Sequence, residues 1–175
     1  MSQPLRQEAP VIDEEERTTA AGLARYAFDY IEAAMVVDQH SQRVDPDNQI
    51  SPMPAYYMAM LGIELTFKAY LRHVGLSVKD LRKIGHDLYS LREASRERGL
   101  YAIFREQATD EVALEMLVAL NGNAHEMRYI RTGLKSFPYW SVVEPLAVRM
   151  HQAVAPYVGY RSFTKSYAAA DAWPR

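Results

Sequence analysis

The sequence predicts an all-α protein, a helical bundle of about five helices, and three observations carry that expectation. Apolar residues recur at steps of three and four, proline and glycine interrupt them at helix-length intervals, and no stretch alternates apolar and polar residues as a half-buried strand does. The 175 residues, 49% hydrophobic and including 12 Tyr, 5 Phe and 2 Trp, suffice to fill one core and offset chain entropy. A single helical domain is expected over 13–159, preceded by a flexible N-terminal arm at 1–12 and followed by a C-terminal tail at 160–175.

Glu14, Glu15 and Glu16 place negative charge where a helix amino terminus favours it. A long first helix follows, its stripe Leu23, Tyr26, Ala27, Tyr30, Ala34 and Val37 turned toward the core. The prolines between Asp45 and Pro54 break it, because proline lacks the N–H donor and disfavours helix in the residue before it. From Ala55 to Val74 nearly every position is apolar, the pattern of a helix buried around most of its circumference. A short helix from Ser77 to Ile84 ends at Gly85; Asp87 opens the next, with Leu88, Leu91, Ala94 and Ser95 inward, and Gly99 stops it. Thr109 or Asp110 caps a fourth long helix, with Glu111 in its first turn, running to about Asn121 or beyond. The last helix carries Val143, Leu146, Met150, Val154 and Tyr157, and Pro145 suits its start. After Gly159 the pattern dissolves, and the tail is expected to pack only where a partner offers a groove.

The 20 basic and 22 acidic side chains nearly cancel, so any pull on nucleic acid must come from a local patch. The absence of cysteine excludes disulfides, thiolate zinc sites, iron–sulfur clusters and a cysteine nucleophile. The polar start lacks the apolar core of a signal peptide and no stretch approaches a membrane span, so a cytoplasmic location without membrane contact is expected. There is no Gly-rich phosphate loop, dinucleotide fingerprint, His-Glu-x-x-His helix or nucleophile elbow, and no cofactor or metal is expected.

Three polar constellations remain. Glu64, Lys68 and Arg72 stand four apart along the central helix, either as a solvated ion-pair ladder or as the lining of a cleft. Gly85-His-Asp-Leu88 places Asp87 as a cap and His86 beside it, a residue type suited to proton transfer near neutral pH. If the fourth helix continues, Asn121, His125 and Arg128 share one stripe, where an arginine fork suits an oxyanion; if Gly122 ends it, they are loop residues.

Gly62-Ile-Glu-Leu-Thr-Phe-Lys-Ala-Tyr-Leu71, Lys83-Ile-Gly-His-Asp-Leu-Tyr-Ser-Leu91 and Leu120-Asn121, His125 and Arg128-Tyr129 together resemble the HEPN superfamily, small helical nucleotide-binding domains of prokaryotes and higher eukaryotes. The resemblance covers about 55–131. It implies a four- or five-helix bundle, commonly a homodimer, in toxin–antitoxin or anti-phage defence, with some members cleaving RNA without metal. Glu64, Lys68, His86, Asp87, Asn121, His125, Arg128 and Arg131 become candidate ligand-binding residues, with His86 and His125 the candidate catalytic ones. Nuclease members carry Arg, four to six residues, then His. Here no arginine stands five to seven positions before His40, His73, His86, His125 or His151; only Lys68 before His73 and Lys79 before His86 do. The expected function is therefore an HEPN-like domain binding a nucleotide, RNA or cognate protein partner, non-catalytic or weakly catalytic. A metal-independent ribonuclease and a purely structural dimerisation protein are the alternatives.

Overall fold

A computed structural model describes residues 14–48, 50–121 and 136–167, whose only regular secondary structure is helix, with no strand among them. The helices are α1 (Glu14–Arg17), α2 (Ala20–Val44), α3 (Met53–His73), α4 (Val78–Ile84), α5 (Leu88–Glu97), α6 (Ala108–Asn121) and α7 (Trp140–Tyr157), with a 3₁₀ turn at Leu100–Ala102. The expected all-α bundle is present, but with seven described α-helices in place of about five. One of the additional helices arises because Thr19 caps α2, its hydroxyl accepting from Gly22 N at 3.0 Å, which splits the glutamate-rich α1 from the long helix.

α3 is the hub, with α2, α4, α5 and α7 all packed against it. Its closest neighbour is α2, and Gly62 sets the approach: a Cβ there would overlap the Ile31 side chain and stand 3.2 Å from the Ala27 carbonyl. The core face of α2 is accordingly Ala24, Ala27, Ile31, Ala34 and Asp38. This corrects the expected stripe, because Tyr26 and Tyr30 are exposed: small residues let two helix backbones close up where a tyrosine ring would hold them apart.

Two other expectations on helix starts are corrected. α7 begins at Trp140, not Pro145, which lies one turn inside it. α6 begins at Ala108, and Asp110 acts from within the first turn: its Oδ2 accepts from Gln107 N at 2.8 Å, while both carboxylate oxygens take Arg149 Nη1 at 2.9 Å. Asp87 does cap α5, accepting from Ser90 N at 2.9 Å. Gly85, at φ 75°, makes the left-handed stop between α4 and that cap.

The chain after Gly159 is not helical, yet residues 160–167 need no partner to supply a groove, because α2 and α7 provide it. Phe163 stacks on Phe28 with centroids 4.2 Å apart, Gln152 Nε2 donates to the carbonyls of Phe163 and Lys165, and Glu144 receives Tyr167 OH, Trp140 Nε1 and Lys165 Nζ. His151, wholly buried, joins the strap to α2: Nε2 donates to Ala24 O at 2.9 Å, so Nδ1 accepts from the Ser162 hydroxyl at 2.7 Å. No helix among the described residues is long and apolar enough to cross a membrane.

Two predictions follow from this packing. Gly62→Ala, which by helix propensity alone would add about 1 kcal/mol, is expected to destabilise by about 1–2 kcal/mol through overpacking against Ile31, read by urea denaturation. Burial holds the His151 pKa below its ordinary 6.5, against a smaller opposing pull from the Ala24 carbonyl. The unfolded chain therefore takes up a proton that the native state refuses, so His151 contributes stability above about pH 6.5 that is lost as pH falls below it. A His151→Gln variant should lose less stability than the parent between about pH 7 and 5; equal losses would remove the assigned neutral role.

Candidate functional site

Leu61, Glu64, Leu65 and Lys68 lie at helical spacing along one face of α3, beside the face that meets α2. Across from them stand Leu23, Tyr26 and Tyr30 of α2 and Leu81 and Arg82 of α4, with Gly85 and His86 closing the end. Together they enclose a hollow of about 610 Å³. Its walls are largely apolar, and its polar groups gather at one place.

That place is the Glu64 carboxylate, only 4% exposed. Its Oε1 accepts from Lys68 Nζ at 2.7 Å and lies 2.9 Å from His86 Nδ1. The (i, i+4) spacing brings Lys68 there from the same helix; His86 arrives because Gly85 turns the chain and Asp87 starts α5. One carboxylate thus binds two cationic or cation-capable groups, and it does so out of water, where unpaired charge is costly. The His86 side chain is 45% exposed, so it is fixed at one nitrogen by Glu64 while its ring edge remains accessible. Lys68 and Arg82 both line the hollow, so it carries cationic side chains beside the Glu64 carboxylate.

The ladder read from the sequence divides here. Glu64 and Lys68 face the hollow, whereas Arg72 turns away and staples the N-terminal segment: Nε donates to Thr18 O at 2.9 Å, Nη2 to Glu15 O at 2.8 Å and Nη1 to Leu76 O at 2.9 Å. Its ion pair with Glu15, whose carboxylate also accepts from Val78 N, brings Thr18 to the rim. Asp87 is engaged as a helix cap, outside the residues that line the hollow. Asn121 closes α6, but its side chain, and His125, Arg128 and Arg131, lie outside the described residues. Of the other histidines, His151 belongs to the core and His73 packs edge-on against Tyr157 at 4.8 Å.

Sequence reasoning missed the tyrosine wall. Tyr26 and Tyr30 were expected in the core, although Ala24, Ala27, Ile31 and Ala34 form an alternative stripe at the same spacing, one that a glycine-bearing partner helix can approach. Arg82, on a short helix with a weak pattern, carried no signal of its own. Among the described residues no three His, Asp or Glu side chains come together in a way that could hold a metal ion. No protein-family model, curated protein or solved structure matches this chain. Its function must be argued from the hollow.

Removing each partner separates support from accessibility. Glu64→Ala, which strands Lys68 in a largely buried setting, is expected to cost about 2 kcal/mol. His86→Ala should cost under about 1 kcal/mol, because a half-exposed partner is weakly coupled. Chemical denaturation of both variants checks this order; a reversed order would mean that His86 is a structural residue.

Proposed function

We propose that this chain is an HEPN-like helical domain that holds the phosphate of a nucleotide or of single-stranded RNA in the hollow between α2, α3 and α4. The observation that carries the reading is the meeting of Glu64, Lys68 and His86, from two separate motifs of the resemblance, at one carboxylate inside one cavity. Lys68, whose ammonium has three donors and gives one to Glu64, can donate to the phosphate, while His86 adds a hydrogen-bonding edge and Tyr26 and Tyr30 aromatic surface on which a base can stack. The volume of about 610 Å³ suits a ligand of mononucleotide size. Binding is favoured over cleavage because lysine, not arginine, stands beside the imidazole, and lysine lacks the planar fork that grips a phosphate at two points.

A second reading rests on the Glu64–His86 contact. A carboxylate that fixes one imidazole nitrogen leaves the other able to act as a general base, so metal-independent RNA cleavage is the catalytic version of the same site. Homodimerisation and a toxin–antitoxin or defence setting accompany the family resemblance and enter the proposal on that ground alone.

Calorimetric titration with adenosine monophosphate and with a short single-stranded RNA tests the binding reading. Saturable binding is expected, weakened at least about tenfold, or 1.4 kcal/mol, by Lys68→Ala and by His86→Ala; Arg128→Ala is expected to weaken it as well. Affinity unchanged in all three variants would overturn the reading. RNA left intact by the protein in the presence of EDTA supports binding alone; fragments that disappear in His86→Ala would favour the catalytic version.

A further inference from the structure

The buried carboxylates of the described residues are matched with cations in every case but one. Glu64 meets Lys68, and Asp110 meets Arg149. Asp38, on the core face of α2 and 6% exposed, has no Lys, Arg or His within ion-pair distance among the described residues. Its Oδ1 accepts from the Ser51 hydroxyl, which ties the loop after α2 back to the helix. A buried carboxylate with only a neutral partner is an energetic cost that natural folds avoid unless something else supplies the charge.

Asp38 opens onto a second hollow, of about 410 Å³, with Gln42, Asn48, Trp140 and Ser141 as its other walls. Two of the donors on these walls are already engaged. Trp140 gives its only N–H to Glu144 Oε2 at 2.8 Å, and Gln42 Nε2 donates to Asn48 O at 2.7 Å. Asn48 Oδ1 accepts from Ile50 N at 3.0 Å, which tightens the turn. What the walls offer an occupant is the Asp38 carboxylate, the Gln42 and Asn48 amides, the Ser141 hydroxyl and an indole ring: one negative charge, polar groups and π surface. The turn that carries Asn48 also carries Asp45 and Asp47, which adds negative charge to the same loop.

We propose that this hollow is a binding site for a primary alkylammonium group, with Asp38 as its counter-ion. The site is separate from the one between α2, α3 and α4, lying toward the other end of α2, and it takes a ligand of opposite charge. A primary ammonium matches the walls because its charge balances Asp38 and is attracted by the indole ring, and its three N–H groups can donate to the carboxylate and to the amide and hydroxyl oxygens. A quaternary ammonium has the charge without the donors and fits less well. Two sources carry this group: a free amine, and the lysine side chain of another protein.

The test is NMR titration of the full chain with putrescine, with Nα-acetyl-lysine amide and with tetramethylammonium, following the Asn48 and Ser141 amides and the Trp140 indole. Saturable shifts at these positions are expected with one or both primary amines, at least about tenfold tighter than with tetramethylammonium. A preference for putrescine assigns a free amine, and a preference for the lysine amide assigns a protein lysine. Asp38→Asn keeps an acceptor for Ser51 but removes the charge, and should weaken binding at least about tenfold; Ser51→Ala keeps the charge and should retain binding. If Asp38→Asn does not fold, Ser141→Trp, which blocks the mouth from an exposed position, should abolish the shifts. No saturable shifts with either amine, or equal affinity in Asp38→Asn, would overturn the proposal.

Discussion

The close approach of α2 to α3 at Gly62 is the constraint on which the rest of this architecture depends. Because no Cβ stands there, Ile31 and the Ala27 backbone come against α3, and the alanines of α2 form the contact face. The rotation of α2 that follows carries Tyr26 and Tyr30 out of the interface and sets them as a wall, facing Leu61, Leu65 and Lys68 on the neighbouring face of α3. A bulkier residue at Gly62 would push the helices apart and remove the wall, so the packing and the hollow are consequences of one contact.

Electrostatics then differentiates the bundle. Among the described residues three carboxylates are buried, each in a different setting. Asp110 is satisfied inside the fold by a helix N–H and Arg149, and is structural. Glu64 is satisfied by Lys68 and His86, one of which keeps contact with solvent, so the same pairing that offsets its burial also sets both groups at the wall of a cavity. Asp38 has a hydroxyl partner and, among the described residues, no cation, and it faces a cavity of its own. The three thus differ in how far each charge is neutralised by its own chain, and the proposed binding roles rest on that difference.

Much of the helical organisation was legible because it depends on local chemistry. Asp87 before α5 and Gly85 after α4 act through their own backbone neighbours, and both stand where the sequence places them. The Glu64–Lys68 pair is local in the same way, set by one helical turn. Which stripe of α2 faces inward was not legible, because two stripes share the same spacing and the choice is made by a glycine more than 30 residues away in the sequence, at position 62. Likewise Arg72 continues the Glu64/Lys68 line in sequence, but its destination is the carbonyls of Glu15 and Thr18, a tertiary contact that periodicity does not encode. The strap at 160–167 has no periodic pattern, and its place is set by tertiary contacts with His151, Phe28, Gln152 and Glu144.

The central claim is that one hollow, floored by Glu64, Lys68 and His86, receives the phosphate of a nucleotide. Crystals grown with a nucleoside monophosphate test it most directly. The account requires the phosphate beside Lys68 and His86 and the base against Tyr26 or Tyr30; a nucleotide bound on another face, with the hollow empty or filled by side chains, would contradict it.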